Sequence, residues 1–578
     1  MRNRKLKKIL LSTAALIAVA AVTSTASMAG KSAGAAAVGG ADALTTKTPI
    51  KHLVVIFNEN RSFDHYFATY PKALNVDGEP AFQAAGNTPT NINNLSSNPG
   101  LLDNNPNLNP ANGTAASNPF RLDRTEANTA DQNHGYTPEQ QAYDGGKNDL
   151  FPLDVGKGST GGAGGFGTDA QVMGYFDGDT VTALWNYAQN YAMSDNAWDD
   201  HFGPSTPGAL NMFAGQTNGF TIPVGVPPGT PPSAVGQLLL EADAGVPNSY
   251  GSFTLIGDID PAGVVCSSPS VQVRMTARNI GDMLNAGNIQ WGSFVGGFNL
   301  QTINPNGSTG CHRSTVSPVT GGSPGDYVPH HIWFQYYAST SNPTHARPTS
   351  VSAIGYTKVP GTQTVDPANH AYDLNDFFSA VAAGNYPAVS FIKMQSYQDS
   401  HPGNSNPLDE QAGLVNLINF LQQQPDWNST AVILTYDDSD GWYDHASAPI
   451  SRGSFSPADV LNGTGDCGTP GQTPEPTGLS GQPVAGRCGP GTRLPFLVIS
   501  PYAKKNYISH VQITQASIPQ FIEDNWLNGQ RIGGGSFDAT SGSIDDMFDF
   551  SKADTTPLVL DPSLGIVVAN KTTKTKKN

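Results

Sequence analysis

The sequence predicts an α/β fold in which a mostly parallel central sheet is flanked by helices. Two observations support this prediction. Short runs such as LVVIF at 53–57, AVIL at 431–434 and FLVI at 496–499 are apolar throughout, which is typical of strands buried on both faces. Helical patterns of ten to fifteen residues alternate with such runs, and this alternation favours parallel strands joined by crossover helices.

The first strand is predicted within IKHLVVIF, residues 50–57. From about 76 to 170 the chain is rich in Asn, Gly and Pro, as in NTPTNINNLSSNPG and GKGSTGGAGGFG, and it has no strong periodicity. So long a stretch is either a functional covering loop or disordered. We expect long loop insertions here that form a partly ordered cap over the functional site.

Helical patterns return after this stretch. In 179–195 the apolar side chains of Val181, Leu184, Trp185, Ala188 and Tyr191 share one helical face. Segments that read as a helix followed by a strand are 279–295, 373–394 and 410–438, and a last buried strand is predicted in RLPFLVISPY at 493–502.

Composition bounds the possible function classes. Only 13% of the 578 residues are charged, whereas Gly (63) and Pro (44) are abundant, which indicates a loop-rich globular protein. The formal net charge of −16 argues against a nucleic-acid partner, because phosphate backbones require a basic face. The one basic run, 571–577, is interpreted as a solvated tail.

The N-terminus reads as an export signal. Five cationic side chains precede an apolar stretch at 9–22, and Ser27-Met28-Ala29 supplies the small residues of a cleavage site near Ala29. The predicted organisation is a signal peptide (1–29), a flexible leader (30–48), a catalytic domain (49–550) and a C-terminal tail (551–578). We expect a secreted or periplasmic protein without a transmembrane segment in the mature chain; an uncleaved anchor is the alternative, and the oligomeric state is left open.

Four cysteines agree with export. An even number at wide spacing in a secreted chain favours disulfides over a zinc site. Of the three possible connectivities, the pairing Cys266–Cys311 with Cys467–Cys488 is the simplest.

Polar side chains follow three of the predicted strands. Asn58-Glu59-Asn60-Arg61 follows the first, QSYQDSHPG with His401 follows another, and Asp437-Asp438 follows a third. Ligands bind outside the carboxyl ends of strands in such sheets, and carboxylates placed together need protons or a cation. An oxygen-lined metal site explains Glu59, Asn60, Asp437 and Asp438 together. Taken singly, the first pair could cap a helix and the aspartates could form a solvated turn.

The same residues carry a family resemblance. IKHLVVIFNENRSFDHYF resembles the opening signature of the bacterial phosphoesterase family, which includes phospholipases C and acid phosphatases and has the alkaline phosphatase-like fold. The similarity extends from about 48 to 530 through FGPSTPGAL, DYVPHHIWFQYYASTSNPTH, SHPG, LTYDDSDGWYDH and GTRLPFLVISPYAKK.

The resemblance implies roles for individual residues. The implied metal ligands are Glu59, Asn60, Ser205, Asp437 and Asp438; the implied catalytic residues are Ser205 as nucleophile with His134, His331 and His401; Asn60 and His330 are implied to bind substrate. One divalent ion is expected, with Ca, Mg, Mn and Zn left open. Two departures, Pro207 followed by Gly208-Ala209 and Asp437-Asp438 in place of Asp-Glu, favour the acid phosphatase branch.

Three functions are therefore considered. The first is a secreted metal-dependent phosphoesterase that hydrolyses phosphomonoesters through a phosphoserine intermediate; the second is a phospholipase C that takes phospholipid headgroups; the third is a non-catalytic secreted binding protein. Within GPSTPGAL, a helix starting at Pro207 would make Thr206 its N-cap and leave Ser205 free to act.

Overall fold

The computed structural model describes residues 40–157, 169–227 and 229–568. In these ranges the strands are β1 (His52–Asn58), β2 (Phe120–Leu122), β3 (Gly174–Phe176), β4 (Ala192–Ser194), β5 (Ala197–Trp198), β6 (Phe220–Val224), β7 (Gly245–Pro247), β8 (Phe253–Leu255), β9 (Gln272–Met275), β10 (Trp291–Val295), β11 (Ala371–Asp373), β12 (Val389–Lys393), β13 (Thr430–Tyr436), β14 (Phe496–Ile499), β15 (Tyr507–Ser509) and β16 (Ile513–Thr514). The α-helices there are α1 (Phe63–Phe67), α2 (Gly100–Asp103), α3 (Tyr136–Tyr143), α4 (Phe151–Asp154), α5 (Thr182–Asn190), α6 (Ser205–Ala214), α7 (Pro232–Glu241), α8 (Ile280–Ala286), α9 (Leu374–Ala382), α10 (Pro407–Gln422) and α11 (Ser517–Trp526).

The largest sheet of the described residues has eight strands in the order β11-β10-β12-β1-β13-β14-β4-β15. Within it, β14 alone runs antiparallel to both of its neighbours, and the other pairs are parallel. The prediction of an α/β fold with a mostly parallel central sheet flanked by helices is therefore confirmed. The predicted helix–strand units appear as α8–β10, α9–β12 and α10–β13.

The central strand β1 separates two apolar clusters. Leu53, Val55 and Phe57 pack with side chains of α6, α8 and α11 on one face of the sheet. Val54 and Ile56 pack with α5, α9 and α10 on the other face. All five side chains are fully buried, which explains the unbroken apolar run in the sequence.

Three strands end at the same edge of the sheet. Asn58, the last residue of β1, pairs with Tyr436, the last residue of β13, and Ile56 pairs with Ile392 near the end of β12. Strand β4 points the same way and leads through β5 into α6. The polar segments that follow these strands are thereby brought together at one place.

Both predicted disulfides are confirmed. Cys266 is bonded to Cys311 and Cys467 to Cys488, with Cα–Cα distances of 5.4 and 5.8 Å. Their cysteines are 45 and 21 residues apart in sequence, and the first of the two loops contains α8 and the sheet strand β10.

The predicted domain bounds remain predictions. The signal peptide and leader residues up to 39 lie outside the described residues, whereas Thr48 at the end of the predicted leader bonds through its N–H to Asn525 Oδ1 at 2.9 Å. In the predicted tail, Leu560 is buried and its N–H donates to Asn419 Oδ1. The described helices are all too short or too polar to span a bilayer.

Candidate active site

The chain turns sharply where β1 ends. Asn60 has a φ of 60°, a left-handed conformation that Asn tolerates better than most residues. Its N–H donates to Asp437 Oδ1 at 3.0 Å, and the N–H of Arg61 donates to Asp438 O at 2.9 Å. The ends of β1 and β13 are thus joined, and the structure brings Glu59, Asn60 and both aspartates together.

Ser205 is the first residue of α6 and faces these carboxylates. Its Oγ lies 3.0 Å from Glu59 Oε2 and 3.1 Å from Asp438 Oδ2, and the residue is buried. A hydroxyl has one hydrogen and can donate to only one of the two carboxylates at a time. Ser205 Oγ and the oxygen of the second carboxylate then lie close together with no hydrogen between them. A bound cation would stabilise this arrangement.

A glycine lets α6 approach β13 closely. A Cβ at Gly208 would overlap the carbonyl oxygen of Asp437. Gly208, which departs from the family pattern, is therefore required because the two backbones lie so close together. This close approach sets the distance between Ser205 and the aspartates.

The prediction that Thr206 caps α6 is wrong. The helix begins at Ser205, and the preceding Pro204 makes no side-chain cap. Thr206 Oγ1 instead donates to His330 O at 3.1 Å. Pro207 fits at the third helical position as well as at the first, because no N–H of the first turn has an intrahelical acceptor.

Three of the predicted histidines surround this cluster. His331 Nδ1 lies 3.0 Å from Glu59 Oε1, and the His331 and His401 rings are parallel, with centroids 5.6 Å apart. His134 Nε2 lies 3.4 Å from Asn60 Nδ2, and the His134 ring is 6.1 Å from that of His401.

His330 lies at the margin of this cluster. Its Nδ1 is 3.5 Å from Asp260 Oδ1, and its side chain is 31% exposed against 3% for His331. His331 is therefore the member of the pair that faces the acidic cluster, while His330 faces a neighbouring pocket.

Arg61 has a structural role at the end of β1. The residue is fully buried, and its Nε donates to Tyr66 Oη at 2.8 Å and to Ser400 Oγ at 2.7 Å. These bonds connect the end of β1 with the loop that carries His401.

The oxygen donors fit a divalent cation. Asn60 Oδ1 and Asp437 Oδ2 are buried and lack a hydrogen-bond partner among the described residues. The amide nitrogen of Asn60 is held by Asp440 Oδ1 at 3.1 Å, which orients the side chain. Unpaired buried oxygens are costly, and carboxylate and amide oxygens suit hard cations. Glu59, His331 and His401 form a further group whose ligand atoms lie within 4.8 Å of one another.

Burial sets the protonation of the acidic residues. It raises the pKa of Asp438 well above the ordinary value, and the adjacent charge of Asp437 raises it further. Burial also raises the pKa of Asp437, against the effect of Lys393, and that of Asp399 to about 7. Such carboxyl groups are held as anions most readily by a cation between them.

The histidines of the site differ in the direction in which their pKa is shifted. Burial lowers the pKa of His331 well below its usual range, and it also lowers that of His401. Burial acts in the same direction on His134, but the charges of Asp438 and Asp440 outweigh it and raise its pKa to about 10. Near neutral pH the site thus holds one protonated and two neutral imidazoles.

The sequence prediction missed Lys393. The residue ends β12, is 2% exposed, contacts Glu59 Oε1 through Nζ, and lies 3.8 Å from Asp437 Oδ2. A lysine inside the apolar run VSFIKM was the available signal, since a buried ammonium group needs an anionic partner. Asp440, which orients Asn60, lies in the segment LTYDDSDGWYDH, but the sequence assigned it no role.

An apolar pocket of about 520 Å³ adjoins the site. Asp258, Asp260 and His330 are among its lining residues, and Asp258 Oδ1 accepts the N–H of Thr206, the residue after Ser205, at 2.9 Å. The side chains that make its walls are mainly those of Ile222, Val226, Val235, Leu238, Leu239 and Val271.

Three curated relatives are bacterial phospholipases C. The chain is 24% identical to the non-hemolytic phospholipase C of Burkholderia pseudomallei over 87% of this chain and 60% of that protein. It is 23% identical to phospholipase C A of Mycobacterium tuberculosis (79% and 69% covered) and 21% identical to the hemolytic phospholipase C of Pseudomonas aeruginosa (89% and 57% covered). The chain therefore spans about 60% of the length of the first of these relatives.

Among solved structures, murine ectonucleotide pyrophosphatase / phosphodiesterase 5 matches with a TM-score of 0.26 and 10% identity, over 64% of this chain and 95% of that one. A sequence model described as the phosphoesterase family matches residues 50–527. That range contains β1, Ser205, the histidines and both aspartates. The chain belongs to the phosphoesterase family.

Proposed function

We propose that the chain is a secreted, metal-dependent phosphoesterase that uses Ser205 as its nucleophile. The observation that carries this proposal is the position of Ser205 Oγ between Glu59 Oε2 and Asp438 Oδ2 at the start of α6. The positive end of a helix favours a bound phosphoryl group, and the carboxylates can accept the hydroxyl proton. Export is supported by the N-terminal sequence and by the two disulfides.

One divalent ion would be held by Glu59, Asn60, Ser205, Asp437 and Asp438. When bound, it would supply positive charge that favours the Ser205 alkoxide and neutralises phosphoryl oxygens. Calcium, magnesium, manganese and zinc all remain candidates, since the five ligands are oxygens but two histidines lie close by.

The reaction would proceed in two steps on this chain's residues. Ser205 Oγ, having lost its proton to a neighbouring carboxylate, forms a bond to phosphorus while the bond from phosphorus to the ester oxygen breaks. His134, protonated near neutral pH, gives its proton to the departing alkoxide. Water then forms a bond to phosphorus and gives a proton to neutral His331 or His401, while the bond from phosphorus to Ser205 Oγ breaks. Oγ takes back its proton from the carboxylate, and the proton on the histidine replaces the one that His134 gave up. Asn60 and His330 would bind the substrate.

The apolar pocket distinguishes between two substrate classes. A pocket of this size beside the nucleophile fits an ester whose alcohol is apolar, which favours a phospholipid. Small phosphomonoesters, as in acid phosphatases, are the second candidate; the sequence departures at Gly208-Ala209 and Asp438 favour them. Two further expectations belong to the same proposal: membership of the alkaline phosphatase-like superfamily, and a cap over the site formed by the described part of the predicted insertion, 76–157 and 169–170; residues 158–168 of that insertion lie outside the described residues.

Assays on three substrates test the proposal. Purified protein with added metal is given p-nitrophenyl phosphate, p-nitrophenylphosphorylcholine and dipalmitoylphosphatidylcholine. Preference for the two choline esters supports phospholipase activity, whereas preference for the monoester supports the phosphatase. If none is cleaved with any of the four metals supplied, the proposal of an enzyme is wrong and a non-catalytic binding protein is favoured.

A further inference from the structure

The apolar pocket is lined by a segment that is poor in charge. Between His201 and Glu241 the sequence contains no Asp, Glu, Lys, Arg or His for 39 consecutive residues. This stretch includes α6, β6 and all of α7 except its last residue, the exposed Glu241. Side chains of β6 and α7 line the pocket, and we name these two elements the β6–α7 face.

Apolar side chains of this face are exposed. Leu238 is 59% exposed although it lines the pocket, and Ile222 and Val226 on the same wall are half-buried. Pro223 and Ala234 are also exposed. A contiguous exposed apolar patch at a pocket mouth marks an interaction surface more often than an isolated exposed leucine does.

The face is firmly held by the rest of the domain. Strand β6 pairs with β9 from Phe220↔Met275 onward, and Gly236 in α7 lies so close to Pro247 that a Cβ there would be 2.9 Å from Pro247 Cβ. Val235 and Leu239, on the inner side of α7, are buried. The exposure of Leu238 is therefore fixed by the orientation of a packed helix.

We propose that the β6–α7 face is the surface by which the protein docks on a neutral lipid assembly, with the apolar pocket taking an acyl chain drawn from it. This rests on the proposed function, since it assigns a substrate class to the same site. Three observations favour a lipid surface: the face carries no charged residue other than Glu241 at the end of α7, its exposed Leu238 lines the pocket, and the pocket is also lined by Asp258, which accepts a hydrogen bond from the residue after Ser205.

The lack of basic side chains on this face also specifies the lipid. Binding to anionic membranes relies on clustered Lys and Arg, which this face does not have, and the chain as a whole is acidic. Apolar insertion is the remaining contribution to binding, and it is largely independent of salt. We therefore expect docking on phosphatidylcholine at both low and high ionic strength.

Co-sedimentation with phosphatidylcholine vesicles tests the surface. The full-length mature protein is used in a Ser205→Ala background, so that the vesicles are not hydrolysed. We expect Leu238→Glu to weaken binding by about tenfold or more, because a charge replaces an apolar anchor. The matched control is Leu564→Glu, a leucine that is also exposed (41%, against 59% for Leu238) in a different part of the chain, and this variant should bind like the parent.

A second variant covers the case in which Leu238→Glu disturbs α7. In Leu238→Trp the added indole should show a blue shift of its emission with phosphatidylcholine vesicles, and the parent protein provides the reference for the native tryptophans. Thermal unfolding of each variant checks that α7 is intact.

Several outcomes would overturn the proposal. They are equal sedimentation of Leu238→Glu and its parent, binding only to vesicles with anionic lipid, and a change of oligomeric state in Leu238→Glu without any vesicle binding, which would make the face a protein interface. Cleavage of p-nitrophenylphosphorylcholine by the wild type is measured separately. If the protein cleaves this soluble ester but does not bind vesicles, the docking surface alone is refuted. If it binds vesicles but cleaves no ester, the proposed function alone is refuted.

Discussion

The ammonium group of Lys393 and the carboxylate of Glu59 form a buried ion pair at the carboxyl edge of the sheet. Both residues are almost completely inaccessible, at 2% and 0%, and Glu59 Oε1 also receives His331 Nδ1 at 3.0 Å. One oxygen of Glu59 is thus engaged by cationic or polar partners, while the other is turned to Ser205. Lys393 and His331 thereby orient the Glu59 carboxylate so that its second oxygen faces the nucleophile.

Replacing Lys393 by methionine should destabilise the metal-free protein. Loss of one partner from a buried pair leaves an uncompensated charge, which typically costs about 3–5 kcal/mol. Urea unfolding in the presence of a chelator measures this change. The control is Lys505→Met, which removes the exposed pair with Asp554 and should cost about 1 kcal/mol or less. Equal effects of the two substitutions would contradict the role of Lys393.

The double substitution Asp437→Asn and Asp438→Asn should remove both the metal and the activity. It neutralises two of the three acidic ligands and leaves too little negative charge to hold a divalent ion. Metal per mole of protein is measured by plasma mass spectrometry. Asp545→Asn, an exposed acidic residue, is the control. Retention of a stoichiometric metal by the double variant would refute the ligand assignment.

Ser205→Ala should abolish turnover while the fold remains intact. Thr206→Ala should keep turnover and lose about 1 kcal/mol of stability, because its hydroxyl donates one hydrogen bond to His330 O. Single-turnover assays and thermal unfolding measure the two effects. An inactive Thr206→Ala together with an active Ser205→Ala would show that the nucleophile is misassigned.

Gly208→Ala should reduce kcat by about a hundredfold or more. A methyl group at 208 meets the Asp437 carbonyl, so α6 must move and take Ser205 out of line with its partners. Gly100→Ala, at the first position of α2 with open space around it, is the matched control and should be silent. Unchanged kcat in Gly208→Ala would mean that α6 tolerates the shift.

Stability should depend on pH through buried neutral histidines. His370 stacks on Trp291 with ring centroids 4.5 Å apart, and burial lowers its pKa to about 4. The unfolded chain takes up this proton near pH 6.5, so the stabilisation is present above that pH and is lost as the pH falls towards 4.

The difference in unfolding free energy between wild type and His370→Gln should therefore be largest near pH 7.5 and narrow by roughly 2 kcal/mol at pH 4.5. His345→Gln should behave alike, since burial lowers the pKa of His345 to about 4 as well. Urea titrations at a series of pH values provide the measurement. A difference that stays constant with pH would contradict this.

Local patterns were enough to predict the sheet and the residues at its edge. Apolar runs and the side chains directly after them are adjacent in sequence, so Glu59, Asn60, Asp437 and Asp438 could be found from strand ends alone. Lys393 was missed because the apolar run VSFIKM does not by itself show whether the lysine side chain points to solvent or to a buried acidic residue. The start of α6 was misjudged because Pro207 is compatible with several positions of a first turn.

The pocket formed by side chains within 222–271 could not be predicted from the sequence for a different reason. The walls of the apolar pocket come from β6, α7 and the segment before β9, whose relation depends on tertiary packing. The 39-residue stretch without charge was visible in the sequence, but its meaning depends on the exposure of Leu238 at the pocket mouth.

The reversed direction of β14 has a consequence for how this architecture can vary. Because β14 is antiparallel to β13, the chain leaves the sheet after Tyr436 and re-enters it at Phe496 along the same edge. The whole segment between these two strands therefore begins and ends beside the acidic cluster. It includes the Cys467–Cys488 disulfide. Insertions or deletions within it leave strand order and register untouched, so this segment is where related chains can diversify their selectivity while conserving the scaffold.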